Sequence, residues 1–185
     1  MNRPPTTGDT TTMAAATLPA YHLTEQQVRL LEHIATESTA RTIAADPELP
    51  WERADVDAAV KELLTVTGTR TAPQLVAWGT AHRIITNTAQ PCTVLTAKSR
   101  LPRRLHRVLV GWVGGRTAPE LAADFDVATT TVRSYGRDLR AWLVVRSQVQ
   151  ASIAAVLSGL VLLSDIDPSW PSEPLHHAVT QGQAA

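Results

Sequence analysis

The sequence predicts an all-α fold made of two tandem four-helix units. Two observations carry that expectation. Apolar residues recur three and four positions apart between the chain ends, and no convincing alternating strand pattern interrupts them. The chain also repeats itself. At a shift of 78 residues Leu23 falls on Leu101, Leu31 on Leu109, Thr39-Ala40 on Thr117-Ala118, and Ile43-Ala44-Ala45-Asp46 on Leu121-Ala122-Ala123-Asp124. At a shift of 76 Val56 falls on Val132, Leu63 on Leu139, Arg70-Thr71 on Arg146-Ser147, Gln74 on Gln150, and Ile84-Ile85 on Leu160-Val161. Helix periodicity alone would match apolar positions. Polar matches held in register through four helices indicate duplication of one structural unit. The change of shift lies between Asp46 and Val56, where a turn would absorb it.

The second copy shows its elements more clearly. Helix 1 is predicted over about 102–113, with Leu105, Val108, Leu109, Trp112 and Val113 on one face and Gly114-Gly115 ending it. Thr117 with Glu120 three residues on is a capping-box pattern for a short helix 2 over about 118–124. Phe125-Asp126-Val127 reads as a tight turn, and helix 3 follows over about 129–143 with Val132, Leu139 and Leu143 inward. Helix 4 is predicted over about 148–163, with Val149, Ile153, Val156, Leu157 and Leu160 inward. A short helix, a tight turn and a longer helix form the helix-turn-helix pattern.

The first copy reads as a degenerate version over 21–86. Its third helix is predicted to begin at Pro50-Trp51-Glu52-Arg53-Ala54-Asp55, since proline suits a first helical position and acids suit a helix N-terminus. Residues 87–100 read as a linker and 101–163 as the second unit. Residues 1–20, rich in Thr, Pro and Ala, read as a disordered arm. Residues 164–185 read as a flexible tail, in which Trp170 and Leu175 are candidates for docking on the body.

Composition narrows the function classes. The chain has 185 residues, 44% hydrophobic, with nine Gly and twelve Pro, so a packed core is expected rather than a fibrous or wholly disordered chain. A single cysteine, Cys92, excludes an internal disulfide framework and a cysteine-rich zinc site. No run of about 18 apolar residues suggests a membrane span, and no apolar stretch suggests a secretory signal. A cytoplasmic protein without membrane partners is expected. His22, His33, His82, His106, His176 and His177 are scattered, and no glycine-rich phosphate loop or paired-histidine motif occurs. Neither catalysis nor a metal or other cofactor is expected.

Residues 101–161 resemble the LuxR/GerE-type (NarL-like) DNA-binding domain. The resemblance is carried by Leu101-Pro102-x-Arg104, Val108-Leu109, Gly115-Arg116-Thr117-Ala118-Pro119-Glu120-Leu121-Ala122, Thr131-Val132 and Leu143-x-Val145-Arg146-Ser147. Residues 23–85 resemble it more weakly through Leu23-Thr24, Leu30-Leu31, Ile43-Ala44 and Arg70-Thr71-Ala72-Pro73-Gln74-Leu75-Val76. The family's usual organisation sets one such domain behind a sensor or receiver domain, whereas here two copies stand in tandem and no sensor domain is visible in the sequence.

The resemblance implies that Arg133, Ser134 and Arg137 read base edges in the major groove of double-stranded DNA. Arginine suits guanine because its planar fork can bond O6 and N7 together. Thr129, Thr130 and Thr131 at the helix start, with Arg116, Arg140 and Arg104, are expected at phosphates. Arg103 and Arg107 could add to them, and Tyr135 could either pack on the unit or touch a phosphate. In the first copy the reading positions hold Asp57, Ala58 and Lys61. With Glu52 and Asp55 nearby, that helix is expected to bind DNA poorly, and Glu52, Asp55 and Asp57 form a candidate partner face.

The resemblance also implies pairing through helix 4. Leu75, Trp78 and Ile84 of one copy could meet Ile153, Val156, Leu157 and Leu160 of the other inside one chain, giving a monomeric pseudo-dimer. These faces could equally pack only on their own units, leaving a homodimer open. The expected function is sequence-specific transcription regulation through the second copy. The rival is an adaptor that binds another transcription regulator or an RNA polymerase subunit and no DNA.

Seventeen basic and seventeen acidic residues give a formal charge of zero, which by itself argues against DNA. The charges are not evenly spread. Residues 21–90 carry a net charge of minus three, residues 91–163 plus six, and the tail minus three. Such asymmetry points to nucleic acid at the second copy.

Overall fold

The computed structural model describes residues 23–85 and 101–168. Among them it contains eight α-helices and no strand. They are α1 Glu25–Ala35, α2 Ala40–Ala44, α3 Val56–Val66, α4 Ala72–Ala81, α5 Arg103–Val113, α6 Ala118–Phe125, α7 Thr129–Leu143 and α8 Gln148–Leu157. A 3-10 turn, Leu163–Asp165, follows. None of these helices is long and apolar enough to cross a membrane. The sequence segments read as the N-terminal arm and the linker, and Trp170 and Leu175 in the tail, lie outside the described residues.

Local chemistry sets most helix starts. Thr24 and Thr117 form capping boxes with Gln27 and Glu120, and Thr39, Thr71 and Ser147 accept from the amides of Thr42, Gln74 and Gln150. Each cap satisfies an amide that has no partner inside its helix. Backbone conformation follows the same repeat as the sequence. Six of the seven left-handed residues described fall in equivalent pairs, Glu37 with Gly115, Gly68 with Val144, and Arg83 with Gly159, while Asp126 has no counterpart. Each pair ends a helix, so the turns recur even where the side chains do not.

Two helices lie at the centre. In α4 every residue from Gln74 to Ala81 is buried, and in α8 every residue from Ala151 to Val156. A helix buried all round must be covered on more than one side. Helix α4 packs on α1 and α8 packs on α5, and the most extensive contact between any two elements is α4 against α8. Ala77, Gly79, Thr80 and Ala81 on one helix and Ala151, Ser152, Ala154 and Ala155 on the other keep both slim. Leu75, Trp78, Ile153 and Val156 are buried, and one hydrophobic cluster spans both halves. Trp78 is fully buried, and a side chain of that class contributes about 3 kcal/mol by leaving water.

The contacts between halves are reciprocal. Gly115, at the end of α5, lies against the Gln74 side chain so closely that a Cβ there would collide with it. Its equivalent Glu37, at the end of α1, accepts a hydrogen bond of 2.9 Å from Gln150 Nε2, and Gln150 is the equivalent of Gln74.

Four expectations need correction. Helix α3 begins at Val56, so Pro50-Trp51-Glu52-Arg53-Ala54 precede it, and Asp55 is its N-cap residue without a side-chain cap bond. The cause is tertiary: Leu49 is buried, Trp51 packs on the core, and Asp46 is tied to α1. Residues 45–55 therefore form a long connection, where a helix-turn-helix has three or four residues. Helix α8 stops at Leu157, six residues earlier than expected, because Gly159 turns left-handed at φ 62°. Ile84 and Leu160 accordingly lie beyond the ends of α4 and α8, both half-buried on the core. Finally, within the segment read as a tail Ile166 packs on the core beside Gly114, next to Leu163, which is buried at the end of the second unit.

Candidate nucleic-acid interface

Helices α6 and α7 are joined by the three residues 126–128. Asp126 is left-handed at φ 54°, a conformation that aspartate visits more readily than most residues. Val127 N then bonds Ala122 O at 3.0 Å and closes the turn. Leu121 of α6 fills the space left by Gly111 in α5, and Trp112 of α5 lies against Gly136 of α7. These two close approaches lock α5, α6 and α7 together.

Val132, Gly136, Leu139 and Leu143 are the buried face of α7. Helical spacing then places 130, 133, 134 and 137 on the opposite face. Thr130, Arg133 and Arg137 are exposed, and Ser134 is half-buried. Thr129, Thr131 and Arg140 are half-buried at the flanks. Among the described residues, no carboxylate pairs with Arg133, Arg137 or Arg140. The N-cap position of α7 is Ala128, which offers no side-chain cap, so the first amides of the helix are left to other acceptors.

Two arginines of α5 lie against aromatic rings. Arg104 lies 5.6 Å from the centroid of the Tyr135 ring, and Arg107 lies 4.1 Å from that of Phe125. Tyr135 thus packs between the core and an arginine from α5. Arg116 pairs with Asp124 at 3.7 Å with both side chains about half exposed, a weak pair that a phosphate could replace. Arg103 is exposed at the start of α5.

Glu120 does more than cap. Its Oε2 accepts from Thr117 N at 2.7 Å and from Thr117 Oγ1 at 2.9 Å, while its Oε1 accepts from Arg70 Nη2 at 2.7 Å. These donors, the Thr117 amide first, hold its carboxyl at about 2. Arg70 comes from the connection between α3 and α4, so this bond ties the first half to the helix that precedes α7. In sequence Arg70 is visible only as a repeat match and as one letter of the weaker resemblance of residues 23–85. The local pattern that marks Glu120 as a capping residue carries no trace of its second partner.

The first half presents a different surface. Asp57, Ala58 and Lys61 on α3 are exposed, as are Glu52 and Asp55 ahead of it. Among the described residues no cation pairs with Glu52, Asp55 or Asp57. Asp46 and Glu48, between α2 and α3, are paired with α1. Arg29 pairs with Asp46 and Glu48, both at 2.6 Å, and His33 Nε2 meets Asp46 Oδ2 at 2.8 Å. The Arg29 guanidinium and the His33 ring hold the Asp46 carboxyl well below the usual carboxylate range. His33 Nδ1 also meets Ser38 Oγ at 3.0 Å. A cavity of about 230 Å³ lies beside this chain of bonds, lined in part by His33, Thr36 and Asp46. Ser38 does not line it, so the Ser38-His33-Asp46 series presents no hydroxyl to the cavity.

Comparison with known protein families, with curated proteins and with solved structures finds no match to this chain.

Proposed function

We propose that the chain is a sequence-specific binder of double-stranded DNA that regulates transcription and reads the major groove with α7. One observation carries the reading: Arg133 and Arg137 stand one turn apart, exposed and without a carboxylate partner among the described residues, on the long helix after a three-residue turn. Arginines so placed can each bond guanine O6 and N7, with Ser134 between them for a neighbouring base edge. Thr129, Thr130 and Thr131 and the uncapped start of α7 accept a phosphate, and Arg116, Arg140 and Arg104 supply further phosphate contacts. The resemblance of residues 101–161 to the LuxR/GerE-type domain supports the same assignment. On this reading the chain works in the cytoplasm, with α4 and α8 serving as internal pairing helices.

A second reading, a DNA-free adaptor for a transcription regulator or an RNA polymerase subunit, is favoured by the exposed, unpaired Glu52, Asp55 and Asp57. Binding to genomic fragments across a salt series separates the two. A DNA binder loses affinity steeply with salt as counterions are released from the phosphates. Absence of binding at low salt by folded protein removes the DNA reading and leaves the adaptor.

A further inference from the structure

We propose that one chain recognises a single, non-palindromic site as a monomer. This rests on the DNA reading above and specifies the duplex it takes. A two-fold homodimer presents two identical reading helices one helical turn of DNA apart, so its operator is an inverted repeat. The described residues meet neither requirement. The surface for pairing is already used: α4 and α8 bury each other within one chain, and the reciprocal contacts of Gln74 with Gly115 and of Gln150 with Glu37 seal the two halves together. Among the described residues a second reading helix is also missing. The counterpart of α7 is α3, of 11 residues against 15, and a long connection precedes it where α7 follows a three-residue turn. Asp57 and Lys61 stand where α7 carries Arg133 and Arg137. An aspartate there would face a duplex carrying about one phosphate charge per 1.7 Å of axis. The internal pairing therefore copies the outline of a dimer while leaving one reading head per particle.

The test uses the full chain and a duplex pool with about 20 randomised base pairs, long enough for two half-sites one turn apart. Selection at low salt is followed by native mass spectrometry on the enriched duplex. The expected result is a motif without inverted repetition, bound by one 20.0 kDa chain per duplex. Arg137→Ala is expected to lower affinity for that duplex at least about fivefold. Lys61→Ala, on the opposite half, is expected to leave it within about twofold. An enriched inverted repeat with two chains per duplex overturns the proposal and leaves the DNA reading intact. So does a Lys61→Ala variant that loses the preference in half of the motif. A stable homodimer of the free chain in sedimentation also overturns it. No enrichment from folded protein removes the DNA reading and this proposal together.

Discussion

Arg70 Nη2 donates to Glu120 Oε1 at 2.7 Å across fifty residues of sequence. The same carboxylate caps α6, the helix that leads into α7. One side chain thus serves a local and a long-range purpose, and the two can be separated. Arg70→Ala is expected to lower the melting temperature slightly, since exposed pairs contribute little. Glu120→Ala loses the cap as well and is expected to lower it further. Equal losses in thermal unfolding would show that the Thr117 bonds contribute nothing beyond the bridge.

Acid should weaken the same junction. Glu120 titrates at about 2 in the folded chain against an ordinary value of 4.5, and Asp46 is lowered as well. A carboxyl lowered by folding stabilises above its unfolded value and loses that contribution as pH falls through the folded one. Stability is therefore expected to decline from about pH 4.5 towards pH 2, and Glu120→Gln to flatten that decline. Urea unfolding of both proteins at several pH values reads this. Parallel curves for wild type and Glu120→Gln would rule the assignment out.

Val144 ends α7 in the left-handed region at φ 56° and is 80% exposed. A β-branched side chain is strained there, and its own contacts offer little return. The equivalent residue of the first half is Gly68, also left-handed. Val144→Gly is expected to stabilise the chain by about 1 kcal/mol, as relief of left-handed strain outweighs the entropy of glycine. Calorimetry showing a loss of similar size would mean that Val144 packs on something.

Gly115 is the opposite case. It is left-handed at φ 74° and touches Gln74. Gly115→Ala adds a Cβ to both conditions, so a loss of at least about 1–2 kcal/mol is expected. Gln74→Ala in the same background should return part of it by removing the collision. A double-mutant cycle with no coupling would mean that the two halves do not meet at this point.

Arg116 and Arg137 should differ in kind on DNA. Arg137→Ala is expected to cost about 1–3 kcal/mol on the preferred site and relax its sequence preference. Arg116→Ala is expected to weaken all duplexes alike and reduce the salt slope by about one. Affinity series on preferred and scrambled duplexes distinguish them. The same pattern for both variants would contradict the division into reading and positioning residues.

Much of the second half was legible because its signals are local. Thr117 with Glu120 marks the start of α6, and periodic apolar residues delimit α7 at Thr129–Leu143. The outward position of Arg133 and Arg137 follows from that periodicity alone. Gly159, two residues after Leu157, is a local signal for the end of α8 as well. The start of α3 was not legible. Pro50 and the acids behind it form a plausible helix start, but Leu49 and Trp51 gain more by packing on the core, and Asp46 gains more at Arg29 and His33.

The sequence by itself determined the all-α class, the repeat and the Thr117 cap, because each depends on residues within a few positions of one another or on a register that survives in the letters. Only the tertiary structure decided that α4 and α8 cover each other and that Arg70 reaches Glu120. An apolar helix face records that it must be buried, since burial is non-directional and proportional to area. It does not record by what. The partner is chosen by shape, here by two helices slim enough to lie together and by Gly115 leaving room for Gln74.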